Sequence, residues 1–350
     1  MSTNDSPLIE ARGLEKYFPQ NAGLIAQLLG SETKHLKAVD GVDLEIRTGE
    51  TVGIIGESGC GKSTLGEVLI GLQDATDGNV TYQGQNLQDM TEQEMLEFRR
   101  ECQVIFQDPF ESIDPRYDVE SWVREPLTIH GLDNKDERIH NALLRAGLTP
   151  PEAFLDQHPH QLSGGERQRV SIARALVLEP RFIVADEPVS MLDVSIRASI
   201  LNLMKSLVEE LDMAVLYISH DLSLIRQMCD RTNVMYLGKF VEQGSTEKLI
   251  KDPKHPYTRA LVDSVPIPDP TRTMGSAPVE GEAPDPVDLP EGCNFQPRCP
   301  HATDECAEEP TLAAYQEPSI DRRAACWHVE DIESTVAREA PVEPEDAGQR

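Results

Sequence analysis

Nine consecutive residues, Gly56-Glu57-Ser58-Gly59-Cys60-Gly61-Lys62-Ser63-Thr64, have the types and spacing to hold phosphate. A glycine, four residues and then Gly-Lys-Ser let backbone N–H groups turn inward around phosphate oxygens. A helix starting there adds partial positive charge. In such a loop Lys62 reaches the β and γ phosphates and the Ser63 hydroxyl ligates Mg²⁺. A second segment, Arg181-Phe182-Ile183-Val184-Ala185-Asp186-Glu187, is an apolar run ending in two acids. Asp186 is placed to bind Mg²⁺ directly or through water, and Glu187 to orient or deprotonate a water attacking the γ-phosphate. Two acids after a strand say little alone. Downstream of a phosphate loop they point to nucleoside triphosphate hydrolysis.

That chemistry needs a strand before the loop and a helix after it. Thr51-Val52-Gly53-Ile54-Ile55 is a continuous apolar run, as in a buried central strand. Residues 63–72 have helical spacing. Leu8–Ala11 and Val42–Ile46 alternate apolar and polar, the period of half-buried strands, and 19–35 reads as an inserted loop with an apolar patch over 24–29. Residues 91–165 are helical in spacing and rich in polar groups, which predicts a helical subdomain inserted into an α/β core. Beyond it the pattern predicts helix 166–178, strand 182–185, helix 194–211 and strand 214–219, an alternation typical of a parallel sheet. The predicted division is a nucleotide-binding domain over 1–265, an extension over 266–335 and a disordered acidic tail over 336–350. The extension opens with seven prolines in 266–292 and continues with a cysteine-rich piece, 293–328.

Composition sets the outer limits. The chain has 350 residues, with 61 acidic against 32 basic side chains and a net charge of −29. Such a field repels nucleic acid, so nucleic acid is not an expected partner. No run of 18 apolar residues offers a membrane span, and the first residues lack the basic and apolar regions of a signal peptide. An intracellular protein, soluble or peripheral, is expected. The acidity has a bland reading, a well-solvated surface, and a sharper one, a halophilic source whose salt screens carboxylate repulsion; the sharper is favoured here.

Leu162-Ser163-Gly164-Gly165-Glu166-Arg167-Gln168 resembles the signature motif of ATP-binding cassette (ABC) ATPases. The resemblance covers about residues 8–265 and implies the phosphate-loop ABC fold, with an antiparallel β subdomain and an inserted helical subdomain. It also assigns further residues. Tyr17 matches the aromatic that stacks on adenine. Gln107 matches the loop glutamine that contacts Mg²⁺ and faces the membrane partner. Ser190-Met191-Leu192-Asp193 matches the loop after the acidic strand, with Met191 where alanine is more usual, and His220 matches the switch histidine at the γ-phosphate. Two such cassettes stack head to tail, so Ser163, Gly164 and Gly165 of one subunit meet the ATP held by the other.

The segments His255-Pro256-Tyr257-Thr258-Arg259-Ala260-Leu261 and Gly292-Cys293-Asn294-Phe295-Gln296-Pro297-Arg298-Cys299-Pro300 resemble the oligopeptide/dipeptide/nickel importer group. The implied protein is a motor subunit at the cytoplasmic face of the cell membrane. Its implied partners are two membrane-spanning permease subunits, a second, nonidentical ATP-binding subunit and a separate solute-binding protein. Peptides lead as cargo, followed by nickel or another solute; a non-transport ABC ATPase is the remaining alternative. Cys293, Cys299, Cys306 and Cys326 lack the tight C-x₂₋₄-C pair of most zinc sites, and their wide spacing suits an iron–sulfur cluster better. The importer group shares this pattern, which resembles a 4Fe–4S-binding segment. Zinc, free thiols or a labile disulfide remain open. No cysteine of this cluster belongs to the nucleotide loop, so hydrolysis is expected to be independent of it.

Overall fold

A computed structural model describes residues 6–20, 34–108, 114–264, 284–287, 289–314 and 322–329. The 24–29 patch, most of the proline-rich stretch, the 336–350 tail and residues 109–113 lie outside the described residues.

The chain opens with β1 (Ile9–Pro19) and β2 (His35–Ile46), then enters β3 (Thr51–Ile55), which feeds the phosphate loop and α1 (Lys62–Leu69). β4 (Asp77–Tyr82) and β5 (Gln85–Asn86) complete an antiparallel sheet in the order β2-β1-β4-β5. α2 (Glu92–Glu101) follows, started by a reciprocal capping box between Thr91 and Glu94. Next come β6 (Cys102–Ile105), α3 (Val119–Ile129), α4 (Lys135–Arg145) and α5 (Gly164–Leu176). The α/β alternation then runs β7 (Phe182–Asp186), α6 (Val194–Leu211), β8 (Ala214–Ser219), α7 (Leu222–Met228) and β9 (Arg231–Tyr236). β10 (Lys239–Ser245), α8 (Thr246–Lys251) and α9 (Pro256–Asp263) close the core, and β11 (Ala313–Ala314) and β12 (Arg322–Ala324) come from the C-terminal segment.

The second sheet has the order β11-β12-β10-β9-β3-β8-β7-β6, with β6 to β9 parallel and the remaining pairs antiparallel. Its central strands are buried on both faces, which is why they read as unbroken apolar runs. Their side chains alternate between two cores. Val52, Ile54, Val184, Leu216 and Ile218 pack toward α1 and the antiparallel sheet; Ile55, Ile183, Ala185, Val215 and Tyr217 belong to the other core, built with residues of α3 to α7.

One expectation changes. Residues 91–165 are not all helical insertion: Cys102–Ile105 is a strand of the parallel sheet, paired with β7 from Cys102↔Phe182 to Ile105↔Ala185. Four residues between polar helices carry too little periodicity to reveal a pairing partner 80 positions away. The C-terminal extension joins the core sheet. Its strand β12 pairs with β10, Glu242 opposite Ala324, and extends the core sheet.

A buried charge system holds that edge. Glu242, with no exposed surface, accepts the backbone N–H groups of Lys254 at 3.1 Å and His255 at 2.9 Å, and pairs with Arg322 at 3.3 Å. The His255 Nδ1 accepts the Tyr257 N–H at 3.1 Å, and burial pushes the imidazole down to about 3. The unfolded chain gains a proton near pH 6.5 that the native ring refuses. Stability from this group is therefore present above about pH 6.5 and lost as pH falls toward 3. Glu242, pushed up by burial, works in the opposite direction and is common to parent and variant. The thermal midpoint of the parent is expected to fall more steeply over that window than that of His255→Gln. Parallel curves would remove His255 as the cause.

Candidate functional site

The loop between β3 and α1 is wedged between two backbones. At Gly61 (φ +103°) a Cβ would sit 1.8 Å from the Ala38 carbonyl oxygen on β2; at Gly56 it would sit 2.2 Å from that of Met235 on β9. No L side chain fits either place without moving a strand. The Lys62 ammonium is buried and donates to the carbonyls of Gly56 at 2.9 Å and Glu57 at 2.8 Å. Ser58, Gly59 and Ser63 are exposed at the mouth, with Thr64 half-buried behind them. Cys60 is buried, and burial pushes its thiol up, so it is a packed thiol rather than a nucleophile.

Strand β7 delivers Asp186 and Glu187 beside this loop. The Asp186 Oδ1 is buried with no hydrogen-bond partner. Burial pushes this carboxyl up, opposed first by Ser63, whose hydroxyl lies within reach of it. A buried orphan carboxylate oxygen beside a serine hydroxyl is a hard-oxygen pair that fits Mg²⁺. Glu187 sits in the left-handed region at φ +45°, held there by its N–H donating to the Ile218 carbonyl at 2.9 Å. Its carboxylate is gripped from two sides: His220 Nδ1 lies 2.7 Å from Oε1, and Gln107 Nε2 donates to Oε2 at 3.2 Å. The structure thus brings Gln107, Glu187 and His220 from three strand ends to one point. Ser190 and Arg197 line the same cavity.

Tyr17 lies on β1, its hydroxyl donating to Asp40 at 2.5 Å and its ring under the Lys37 ammonium at 5.4 Å. Asp40 follows the same β2 backbone that meets Gly61, so Tyr17 stands on the loop's flank. No motif in the residue pattern singles out Lys37 or Asp40. Ser163 caps α5 in a reciprocal box with Glu166, at 3.3 and 2.8 Å. Gly165 is buried, and a Cβ there would meet Ile196 at 2.7 Å. Ser163–Gly165 thus form the N-terminus of a helix in the helical region, and their hydrogen bonds stay inside that cap.

Cys293, Cys299, Cys306 and Cys326 are free thiols. The Cys293 N–H donates to the Cys306 carbonyl at 3.0 Å, and His328 Nε2 lies 3.8 Å from Cys306 Sγ. Burial pushes the Cys326 thiol up to about 11, with the other three cysteines adding to the shift. The four are neighbours, yet among the described residues no group of three or more His, Cys, Asp or Glu is arranged to hold a metal ion.

The C-terminal segment also reaches the phosphate loop. Arg298, one residue before Cys299, pairs with Glu57 of the phosphate loop through two hydrogen bonds of 3.0 and 3.1 Å. Phe295 is buried against Tyr236 and Tyr257, with ring centroids 5.3 and 5.5 Å away. The Tyr257 hydroxyl accepts the Glu57 N–H at 2.8 Å.

Residues 39–190 match the ABC transporter family, and residues 241–306 match the oligopeptide/dipeptide transporter C-terminal region. The chain is 43% identical over 334 residues to the oligopeptide transport ATP-binding protein AppF of Bacillus subtilis, covering 93% of this chain and 98% of that protein. It is 40% identical over 330 residues to the dipeptide transport ATP-binding protein DppF of Haemophilus influenzae, with 93% and 98% covered. Among solved structures it is similar to a dimeric bacterial ABC transporter cassette, with TM-score 0.59 and 30% identity over 68% of this chain and 98% of that one. A dimeric ATP-binding cassette in a post-hydrolysis state with ADP and Pi gives TM-score 0.59 and 28% identity over the same shares.

Proposed function

The chain belongs to the ATP-binding subunits of the oligopeptide/dipeptide ABC transporter family, and from that premise we propose that it is the ATP-hydrolysing motor of a peptide importer. The observation that carries the chemistry is the Glu187 carboxylate, held by His220 and Gln107 next to the phosphate loop.

In this reading the loop amides of Gly56–Thr64 cradle the phosphates, and Lys62 leaves its two carbonyls for a phosphate oxygen. Ser63, Asp186 and Gln107 hold Mg²⁺, which neutralises charge on the phosphates when bound. Glu187 takes the proton of the attacking water, and His220 fixes the carboxylate and meets the γ-phosphate side. Tyr17 stacks on adenine once its ring face is free of Lys37. Ser163, Gly164 and Gly165 serve the nucleotide of a second cassette, because the partial positive charge at a helix N-terminus favours an anion.

No described helix is long and apolar enough to cross a membrane. Movement of cargo therefore needs permease subunits, on whose cytoplasmic side this chain docks. A nonidentical partner cassette and a separate solute-binding protein complete the assembly. The nucleotide-binding unit spans 1–265 with an extension over 266–335, and the wide spacing of that extension's four cysteines favours an iron–sulfur site over zinc.

The test is co-purification with the permease subunits and measurement of ATP turnover with and without peptide. Turnover that rises with peptide is the expected result. A complex that hydrolyses ATP at one rate whatever peptide is supplied would overturn the importer reading. Ser163→Arg should lower turnover at the partner's phosphate loop while nucleotide binding at Lys62 of the same chain persists.

A further inference from the structure

We propose that Arg298 is a positioning residue for the phosphate loop, through which the C-terminal segment sets how tightly nucleotide is held. The proposal rests on the ATPase reading above and deepens it.

The starting point is an oddity of charge. Glu57 places a carboxylate inside a loop built to receive a triphosphate, in a chain of net charge −29. Left alone, that carboxylate repels the incoming phosphates. Arg298 answers it with a bidentate fork, Nη1 to Oε2 at 3.0 Å and Nη2 to Oε1 at 3.1 Å. Such forks fix direction as well as charge. The Arg298 side chain is 8% exposed and that of Glu57 36%, so the arginine is held in place while solvent still reaches the carboxylate. Burial disfavours its charge, but the hydrogen bonds it donates to Glu57 and to the Tyr236 hydroxyl, 3.2 Å away, more than offset this and hold the guanidinium above its usual range.

The backbone of Glu57 is held as well. Its N–H goes to the Tyr257 hydroxyl at 2.8 Å. Its carbonyl accepts the Lys62 ammonium at 2.8 Å and the Cys60 N–H at 3.4 Å. One residue therefore links Arg298 to the lysine that must reach phosphate. The contact spans 241 positions of sequence, and the arginine's own neighbours pin it: Phe295 is buried among Tyr236, Tyr257 and His255. The C-terminal segment thus neutralises the loop's acid and fixes the loop's first turn.

A plain staple, joining two parts of the chain without touching nucleotide affinity, would use the same contact. The two roles separate when Glu57 is neutralised. In the assembled complex, Arg298→Ala is expected to weaken MgATP binding about tenfold, the size of one lost charge-assisted contact. Arg298→Lys, which keeps charge and loses the fork, should fall between. The double variant Arg298→Ala/Glu57→Gln should regain most of the affinity, because no carboxylate is left to repel phosphate; a staple would show no such rescue. Binding is read by titration with a fluorescent ATP analogue, and turnover is measured in parallel, with KM expected to move more than kcat. Arg298→Ala or Arg298→Lys with parental affinity, or a double variant no better than Arg298→Ala, would overturn the proposal. A parent complex that binds no ATP would overturn the ATPase reading instead.

Discussion

Glu187→Gln is expected to leave ATP bound and unhydrolysed. The amide keeps the volume of the carboxylate and can still hydrogen-bond His220 and Gln107, which lie 2.7 and 3.2 Å from the two carboxylate oxygens. It removes only the capacity to take a proton. Loss of a general base lowers rates by about 10²–10⁴. Lys62, Ser63 and Asp186 are untouched, so affinity should stay near that of the parent. Phosphate release and retained nucleotide, measured together in the assembled complex, check both halves. Parental turnover in this variant would remove Glu187 from its role.

The second large effect comes from a methyl group. Gly61→Ala places a Cβ 1.8 Å from the Ala38 carbonyl oxygen at φ +103°, and the obstacle is strand backbone rather than a side chain that can swing away. The left-handed conformation alone costs about 1–2 kcal/mol for a non-glycine residue. The collision adds to it, and either the loop or β2 must shift. Nucleotide affinity is expected to fall by about 100-fold or more, the tenfold-per-1.4 kcal/mol equivalent of some 3 kcal/mol. Gly59→Ala makes a matched control. Gly59 also has positive φ, +78°, but a Cβ there meets nothing within 4 Å. It should show the conformational cost without the collision. Equal losses in the two variants would mean that the close approach to Ala38 does not govern the loop.

The parts of the site that sequence made legible are those written in consecutive residues. Gly56–Thr64 and Arg181–Glu187 each carry their chemistry within nine positions, beside or inside a short apolar strand, so local pattern suffices. Gln107 and His220 have no such pattern of their own and were reached through the family resemblance; the structure brings both to Glu187. What stayed hidden depends on pairing across long stretches. Cys102–Ile105 is a strand only because β7 lies beside it, and β12 only because β10 offers an open edge. Arg298 looked like a residue of the cysteine segment, although a question about charge would have found it: an acid in a phosphate loop calls for a cation.

The pairing of Glu242 with Arg322 also sets a clock. The carboxylate is emplaced on β10, and its guanidinium partner comes 80 residues later. At a synthesis rate of about 5–20 residues per second, the arginine leaves the ribosome roughly 4–16 s after the glutamate. During that interval the edge of β10 has neither its neighbouring strand nor the cation for its acid. An unpaired strand edge is also where nascent chains join one another. A strand made well after the nucleotide-binding motifs is therefore the one that covers this edge of the central sheet. A message truncated before residue 322 would yield a cassette with every nucleotide-binding motif and an open flank.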